Sequence, residues 1–130
     1  MRRFAFTAAA LLALSPLTAR AQDATAGDPA AGQRIFNQCR ACHVIENNGR
    51  NGVGPNLHGI VGRRAASIEN FRYSANMRQL GEQGHVWTEE NLRPYLRNPK
   101  EVAPQGIMSF PGLRQDQQIN DVIAYLKTQS

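Results

Sequence analysis

Two cysteines and a histidine stand together as Cys39-Arg40-Ala41-Cys42-His43. C-x-x-C-H is the attachment motif of a c-type haem, and the chemistry accounts for the spacing. Each thiol can add across one vinyl group of the porphyrin, leaving two thioether bonds. On a helix, residues 39 and 42 are three apart and residues 39 and 43 four apart, so all three share a face. His43 is then placed to offer an imidazole nitrogen to the iron. With two cysteines in the chain, one haem is expected. Other readings fit less well. A thioredoxin-type couple belongs to a βαβ pattern, and none is visible. Zinc would need His58 and His85 as partners, at spacings unlike an ordinary finger. A plain disulfide needs no histidine.

The elements that position this motif follow from the surrounding pattern. Asp28 is an N-cap residue and Pro29 suits a first helical position. Gly32, Ile35, Phe36, Cys39 and His43 then follow at i, i+3, i+4, i+7 and i+11, so one helix face carries core packing and the attachment site. Glycine and asparagine enforce a loop from Asn47 to Pro55. Ser74 to Leu80 predicts a short helix ending near Gly81. Thr88 with Glu89 and Glu90 opens a helix to about Arg97. Pro94 removes an interior donor there and predicts a kink or an irregular turn. Asn98-Pro99 stops that helix, and Lys100 to Leu113 reads as loop. Asp116 to Thr128 is the clearest helix, with Ile119, Val122, Ile123 and Leu126 on one face. No convincing strand is present.

Residues Met1–Ala21 have the form of a cleaved export signal. A basic start, an apolar run from Phe4 to Leu14 and Ala19-Arg20-Ala21 follow in order. The apolar run falls well short of the ~20 residues a membrane-spanning helix needs, so no stable membrane anchor is expected after cleavage. One domain is expected over residues 22–130. Of 15 basic and 10 acidic residues, Arg2, Arg3 and Arg20 lie in the leader, so the net charge falls from +5 to +2. No basic run exceeds two residues and none is interleaved with aromatics, which argues against nucleic acid.

Together, Cys-Arg-Ala-Cys-His, Gly54-Pro55-Asn56-Leu57-His58-Gly59-Ile60-Val61-Gly62-Arg63, Asn98-Pro99-Lys100 and Ile107-Met108-Ser109-Phe110 resemble the class I cytochromes c. The subgroup most resembled is the mitochondrial type and its purple-bacterial relatives. The resemblance runs in order from Gly32 to Leu126. It implies an all-α cytochrome c fold: four to five helices and loops wrapped around one covalently attached haem, with the N- and C-terminal helices packed across each other. It implies thioethers at Cys39 and Cys42, iron ligation by His43 and Met108, and a Pro55 carbonyl bonded to the other ring nitrogen of His43. Arg63, Tyr73 and Trp87 match residues around the haem propionates, Tyr95 one that reaches towards the methionine sulfur, and Asn76 a nearby polar position. Gly32 and Phe36 would pack against Val122 and Tyr125. Gly106 and Ile107 depart from the threonine and lysine usual before the methionine, and Asn51 from a histidine. About three extra residues lie between Tyr73 and Trp87. The docking lysines are reduced to Lys100 and Lys127.

Met108 sits in a proline- and glycine-bounded loop, which favours it as ligand over Met77 in a helix or His85. His58 and His85 are expected to be surface or satisfied structural residues. An iron held on both sides has no open position, so the expected function is one-electron transfer and not catalysis. His/Met ligation and burial raise the potential. The reading is a monomeric periplasmic carrier that docks transiently to membrane redox complexes or periplasmic redox enzymes, steered by Arg40, Arg63 and Lys100. A dedicated acceptor for one periplasmic dehydrogenase, or a haem enzyme or gas sensor with a labile sixth ligand, are the alternatives.

Overall fold

The computed structural model describes residues 26–130. The expected leader and the expected start of the domain at Gln22 lie outside them. Helix α1 is Pro29–Phe36. The Asp28 carboxylate accepts from the Ala30 N–H at 2.8 Å, and Pro29 sits where a missing N–H costs nothing. Helices α2 (Ala75–Glu82), α3 (Glu89–Arg97), α4 (Pro99–Val102) and α5 (Asp116–Lys127) follow. Ser74 Oγ caps α2 by accepting from the Met77 N–H at 3.1 Å. Thr88 Oγ1 does the same for α3 from Asn91, at 3.2 Å.

Four details bear on the expectations, and three of them differ. First, α1 ends at Phe36 and does not continue as one face to His43. Asn37 and Gln38, polar and exposed, donate three residues back, to Arg34 and Ile35 at 3.3 Å. Short polar side chains such as asparagine compete with the regular ladder. The turn then recovers, because the His43 N–H reaches the Cys39 carbonyl at 2.9 Å. Second, α3 runs through Pro94 to Arg97, as expected. The proline is exposed and so is Glu90, whose carbonyl loses its partner; water can take that place. Third, the expected loop from Lys100 begins with a helical turn. Pro99 presets the first φ, and the Ala103 N–H closes the turn on the Pro99 carbonyl at 2.9 Å. Fourth, an isolated antiparallel bridge pairs Arg64 with Val86, although no strand occurs among the described residues.

Helices α1 and α5 form the main packing contact. A Cβ built on Gly32 would collide with the Asp121 carbonyl oxygen and lie 2.8 Å from the Tyr125 Cβ. Only glycine lets the two backbones come this close. Phe36 stacks on Tyr125 with ring centroids 5.3 Å apart. The buried Asp121 carboxylate accepts from the Asp28 N–H and from Gln117 Nε2, both at 2.8 Å. Ile119, Val122, Ile123 and Leu126 extend this core towards Ile45, Ile60, Trp87, Leu92 and Leu113.

Replacing Gly32 by alanine should lower stability in urea unfolding by about 1–3 kcal/mol. Alanine gains only about 1 kcal/mol in helix propensity, less than the overpacking costs. Gln33→Ala, on the exposed side of the same helix, should change little.

Candidate functional site

The cysteine segment is folded back onto the glycine loop that follows it. The Gly54 N–H donates to the Cys42 carbonyl at 2.9 Å, and the Gly52 N–H to the Gly54 carbonyl at 3.0 Å. Gly54 lies against the histidine ring: a Cβ there would sit 2.8 Å from His43 Nδ1 and 2.9 Å from Nε2. With no side chain in the way, the next carbonyl reaches the ring, and His43 Nδ1 donates to Pro55 O at 2.7 Å. This bond fixes the tautomer and leaves the Nε2 lone pair free. Burial is the main cause that holds the ring's pKa below the usual histidine value; Arg63 repels a further charge, and the Pro55 bond opposes both. His43 is therefore a neutral imidazole with one nitrogen already committed.

Both cysteines are free; Cys39 is half-buried and Cys42 exposed. Burial pushes the Cys39 thiol up to about 11. At neutral pH such a group is almost entirely protonated, the opposite of a thioredoxin-type nucleophile, whose thiolate is stabilised. Among the described residues no three His, Cys, Asp or Glu side chains converge on a metal-sized site, which leaves the zinc reading without support.

A second layer of hydrogen bonds organises the loop beneath. Asn56 is buried. Its side-chain nitrogen donates to Glu46 O at 3.0 Å and Arg50 O at 2.8 Å, and its side-chain oxygen accepts from the His58 N–H at 2.7 Å. Asn51 Oδ1 in turn accepts from the Asn56 N–H at 2.9 Å. Arg63 donates to His58 O at 3.0 Å and to Asn56 O at 2.8 Å. A cavity of about 260 Å³ is lined by Asn51, Asn56, His58, Arg63, Ile68 and Asn70, among others. A larger one, about 450 Å³, opens between α1 and the end of α5, and no expected site residue lines it. Sequence reasoning missed Asn56; an asparagine two residues before an N–H it can bind, in a loop without a ladder, is the signal for such a turn.

The Arg64–Val86 bridge aligns the opposite wall. The Trp87 N–H donates to Arg63 O and the Ala65 N–H to His85 O, both at 2.9 Å. Directly opposed residues share a face, so Arg63 lies with Trp87 and Ala65 with His85. Trp87 is buried and meets Tyr95 at 4.7 Å between centroids. Tyr73 packs edge-on against Phe71 at 4.8 Å. Burial raises the pKa of both Tyr73 and Tyr95, so both remain phenols, able to donate, through neutral pH. Of the histidines expected to be structural, His58 is satisfied, its Nδ1 lying 3.2 Å from Ile45 O. His85 is not: its Nε2 is buried without a partner.

Met108 lies half-buried on the segment after α4. Lys100 Nζ donates to Gly106 O, and the Gln105 N–H to Asn76 Oδ1 on α2 at 3.2 Å. Met77 on α2 packs against the core, and Met108 is outside that cluster. Ile107 beside it is 73 % exposed.

Cys39, Leu57, Val61, Met77, Leu80, Tyr95, Leu96 and Phe110 pack against the core while staying partly open. Such a fringe favours an apolar cover, at roughly 25 cal/mol per Å² removed from water. A porphyrin held through two cysteine sulfurs, with a neutral imidazole beside a glycine and an apolar fringe to cover it, fits these residues.

The comparisons agree. The family model for cytochrome c matches residues 29–130. Cytochrome c2 of Afifella marina is 44 % identical over 99 residues, 76 % of this chain and 80 % of that protein. Cytochrome c-550 of Ancylobacter novellus is 45 % identical over 100 residues, covering 77 % and 94 %. Among solved structures, cytochrome cH from Methylobacterium extorquens superposes with a TM-score of 0.71 at 39 % identity, covering 78 % of this chain and 99 % of that one. By sequence and by fold, the chain belongs to the cytochrome c family, as a class I electron carrier with one covalently bound haem c.

Proposed function

We propose that the chain is exported by cleavage of Met1–Ala21, leaving residues 22–130 as one haem domain, and works in the periplasm as a one-electron shuttle between redox complexes. No helix among the described residues is long and apolar enough to cross a membrane. In this reading Cys39 and Cys42 carry the thioethers and His43 and Met108 hold the iron. Arg63, Tyr73 and Trp87 receive the propionates, and Tyr95 lies on the methionine side. Bound this way, the haem supplies reversible gain and loss of one electron. The observation that carries the reading is the 2.7 Å bond from His43 Nδ1 to Pro55 O. It presents a neutral nitrogen in one orientation, as a permanent ligand requires, and raises its basicity.

The protein groups then do the rest. Arg63 is half-buried and keeps its charge while its fork is fixed on two loop carbonyls, so it supplies a preset positive potential instead of a mobile contact. The two phenols donate without ionising. The lysine bond to Gly106 and the asparagine bond to Gln105 restrain the loop that bears Met108. A thioether held in a restrained loop stays in place between the two oxidation states, which suits transfer and not substrate binding.

Two of the three cations expected to steer docking are engaged within the protein. Arg40 is paired with Glu46 at 2.9 Å, Arg63 is turned onto the loop, and Lys127 is paired with Glu89. Lys100, Arg64 and Arg72 stay exposed, and beside them stand apolar Val53 at 81 % and Ile107 at 73 %. Transient contact with partner complexes in this reading combines apolar cover with a modest positive charge.

Three outcomes test this. Met108→Ala should lose the weak far-red band of methionine ligation to ferric haem and gain carbon monoxide binding when reduced, while Met77→Ala should do neither. Rapid carbon monoxide binding by the wild type at neutral pH would favour the enzyme or sensor reading instead. Gly54→Val should displace the imidazole and give a protein with disturbed low-spin spectrum and lower thermal stability. Bimolecular electron exchange with a membrane complex should slow by less than about tenfold between low and physiological salt, in contrast to strongly steered pairs; a steeper fall would restore the basic-steering model.

A further inference from the structure

The chain contains two Asn-Gly steps, Asn48-Gly49 and Asn51-Gly52, both in the loop after the cysteine turn. At such a step the main chain can attack its own side-chain amide, because glycine has no Cβ to obstruct the approach. The fold leaves one step open and closes the other. At the first, Asn48 and Gly49 are both exposed, and a Cβ built on Gly49 would meet nothing within 4 Å. The Gly49 N–H has no acceptor among the described residues. The Arg50 N–H donates to Asn48 Oδ1 at 3.0 Å, folding the side-chain amide back along its own backbone. That donor sits on the oxygen where negative charge develops when a nitrogen attacks the adjoining carbon. At the second step, Asn51 Nδ2 donates to Asn70 O at 3.2 Å and Asn70 Oδ1 at 3.0 Å, and Asn51 Oδ1 accepts from the Asn56 N–H at 2.9 Å. The Gly52 N–H is committed to Gly54 O at 3.0 Å, and a Cβ on Gly52 would collide with the Cys42 carbonyl.

We propose that Asn48 is a self-modification site, deamidated through the Gly49 nitrogen, while Asn51 is kept inert by its hydrogen bonds. The Gly49 nitrogen gives its proton to solvent hydroxide and bonds to Asn48 Cγ. The bond from Cγ to the side-chain nitrogen breaks; that nitrogen leaves with the electron pair, takes a proton from water and becomes ammonia. A water molecule then opens the five-membered imide. Attack at the former side-chain carbonyl gives aspartate. Attack at the main-chain carbonyl gives isoaspartate, in which the chain runs through the side-chain carbons of residue 48. One water enters, one ammonia departs and nothing is oxidised. Both products add a negative charge to the loop, but only isoaspartate lengthens the main chain. The added atom falls just before Gly49 O, which accepts from Asn70 Nδ2 at 3.3 Å, and Arg50 O, which accepts from Asn56 Nδ2 at 2.8 Å. The modification therefore acts on the anchor of the loop that presents Pro55 to His43.

The test is peptide mapping by mass spectrometry of haem-loaded protein aged in mildly alkaline buffer, folded in one arm and unfolded in guanidinium in the other. Trypsin cleavage after Arg50 puts the two asparagines in separate peptides. In the folded arm Asn48 should convert at least about tenfold faster than Asn51, since attack at Asn51 must first break several hydrogen bonds. In the unfolded arm, with those bonds gone, the two rates should converge. Part of the product at residue 48 should be isoaspartate, detected by enzymatic methylation of its free α-carboxylate, and Asn48→Ser should lack it. Fresh Asn48→Asp, which carries the charge without the longer chain, should unfold thermally close to the wild type. The isoaspartate fraction of aged protein should unfold earlier. Equal rates at the two asparagines in the folded arm, or conversion of Asn48 in the unfolded arm alone, would overturn the inference. An isoaspartate fraction that unfolds with fresh protein would overturn its link to the Pro55 loop.

Discussion

The hydrogen bond between His43 and Pro55 is the constraint around which the site is arranged. It needs three things at once: a histidine at the end of the cysteine turn, a carbonyl from a different segment, and no side chain between them. Gly54 meets the last condition, since a Cβ there would press on both ring nitrogens. The same residue ties the loop to Cys42 through its N–H. Asn56 then holds the far side of the loop through Glu46 and Arg50. Orientation of one ring is thus paid for by a dozen loop residues that have no helix or sheet to satisfy their backbone groups.

A loop-built site needs a rigid frame, and the α1–α5 contact provides it. Gly32 allows backbone-to-backbone approach, and Asp121 answers the otherwise unpaired N–H of Asp28 at the start of α1. Because α1 leads directly into the cysteine turn, any slip of α1 on α5 would move Cys39 relative to Pro55. The close packing therefore acts on cofactor geometry as well as on stability. Interiors this dense repack in steps and do not deform smoothly.

Much of this was legible in the sequence, and the parts that were not share a cause. The helix starts at Asp28, Ser74 and Thr88 are capping events, decided by one side chain and its near neighbours. The cysteine motif is likewise local. The Arg64–Val86 bridge is a pairing between segments 22 residues apart with no alternating pattern, so nothing local announces it. The α4 turn was hidden because Pro99 both ends α3 and begins the next turn. The helix through Pro94 was expected; how much the proline costs depends on whether the orphaned carbonyl faces water, which is a tertiary fact. Asn56 was passed over, and His85 was expected to be satisfied, for a related reason. A polar residue's burial is set by what covers it, and its own neighbours do not specify that.

Charge in this molecule is sorted by depth, and the sorting bears on what the protein can do. Some exposed cations are paired, Arg40 with Glu46, Lys127 with Glu89 and Arg97 with Asp116, whereas Arg64, Arg72 and Lys100 are exposed and keep their charge. Exposed pairs of this kind add little stability, ~0–1 kcal/mol each, and each weakens the field of its own cation. Arg63, in contrast, is half-buried, where screening by water and salt is weaker. A positive charge there acts on the cofactor site far more than on anything approaching from solution. Depth therefore separates two roles for charge: Arg63 bears on the interior of the site, while exposed Arg64, Arg72 and Lys100 stand with apolar Val53 and Ile107 on the surface.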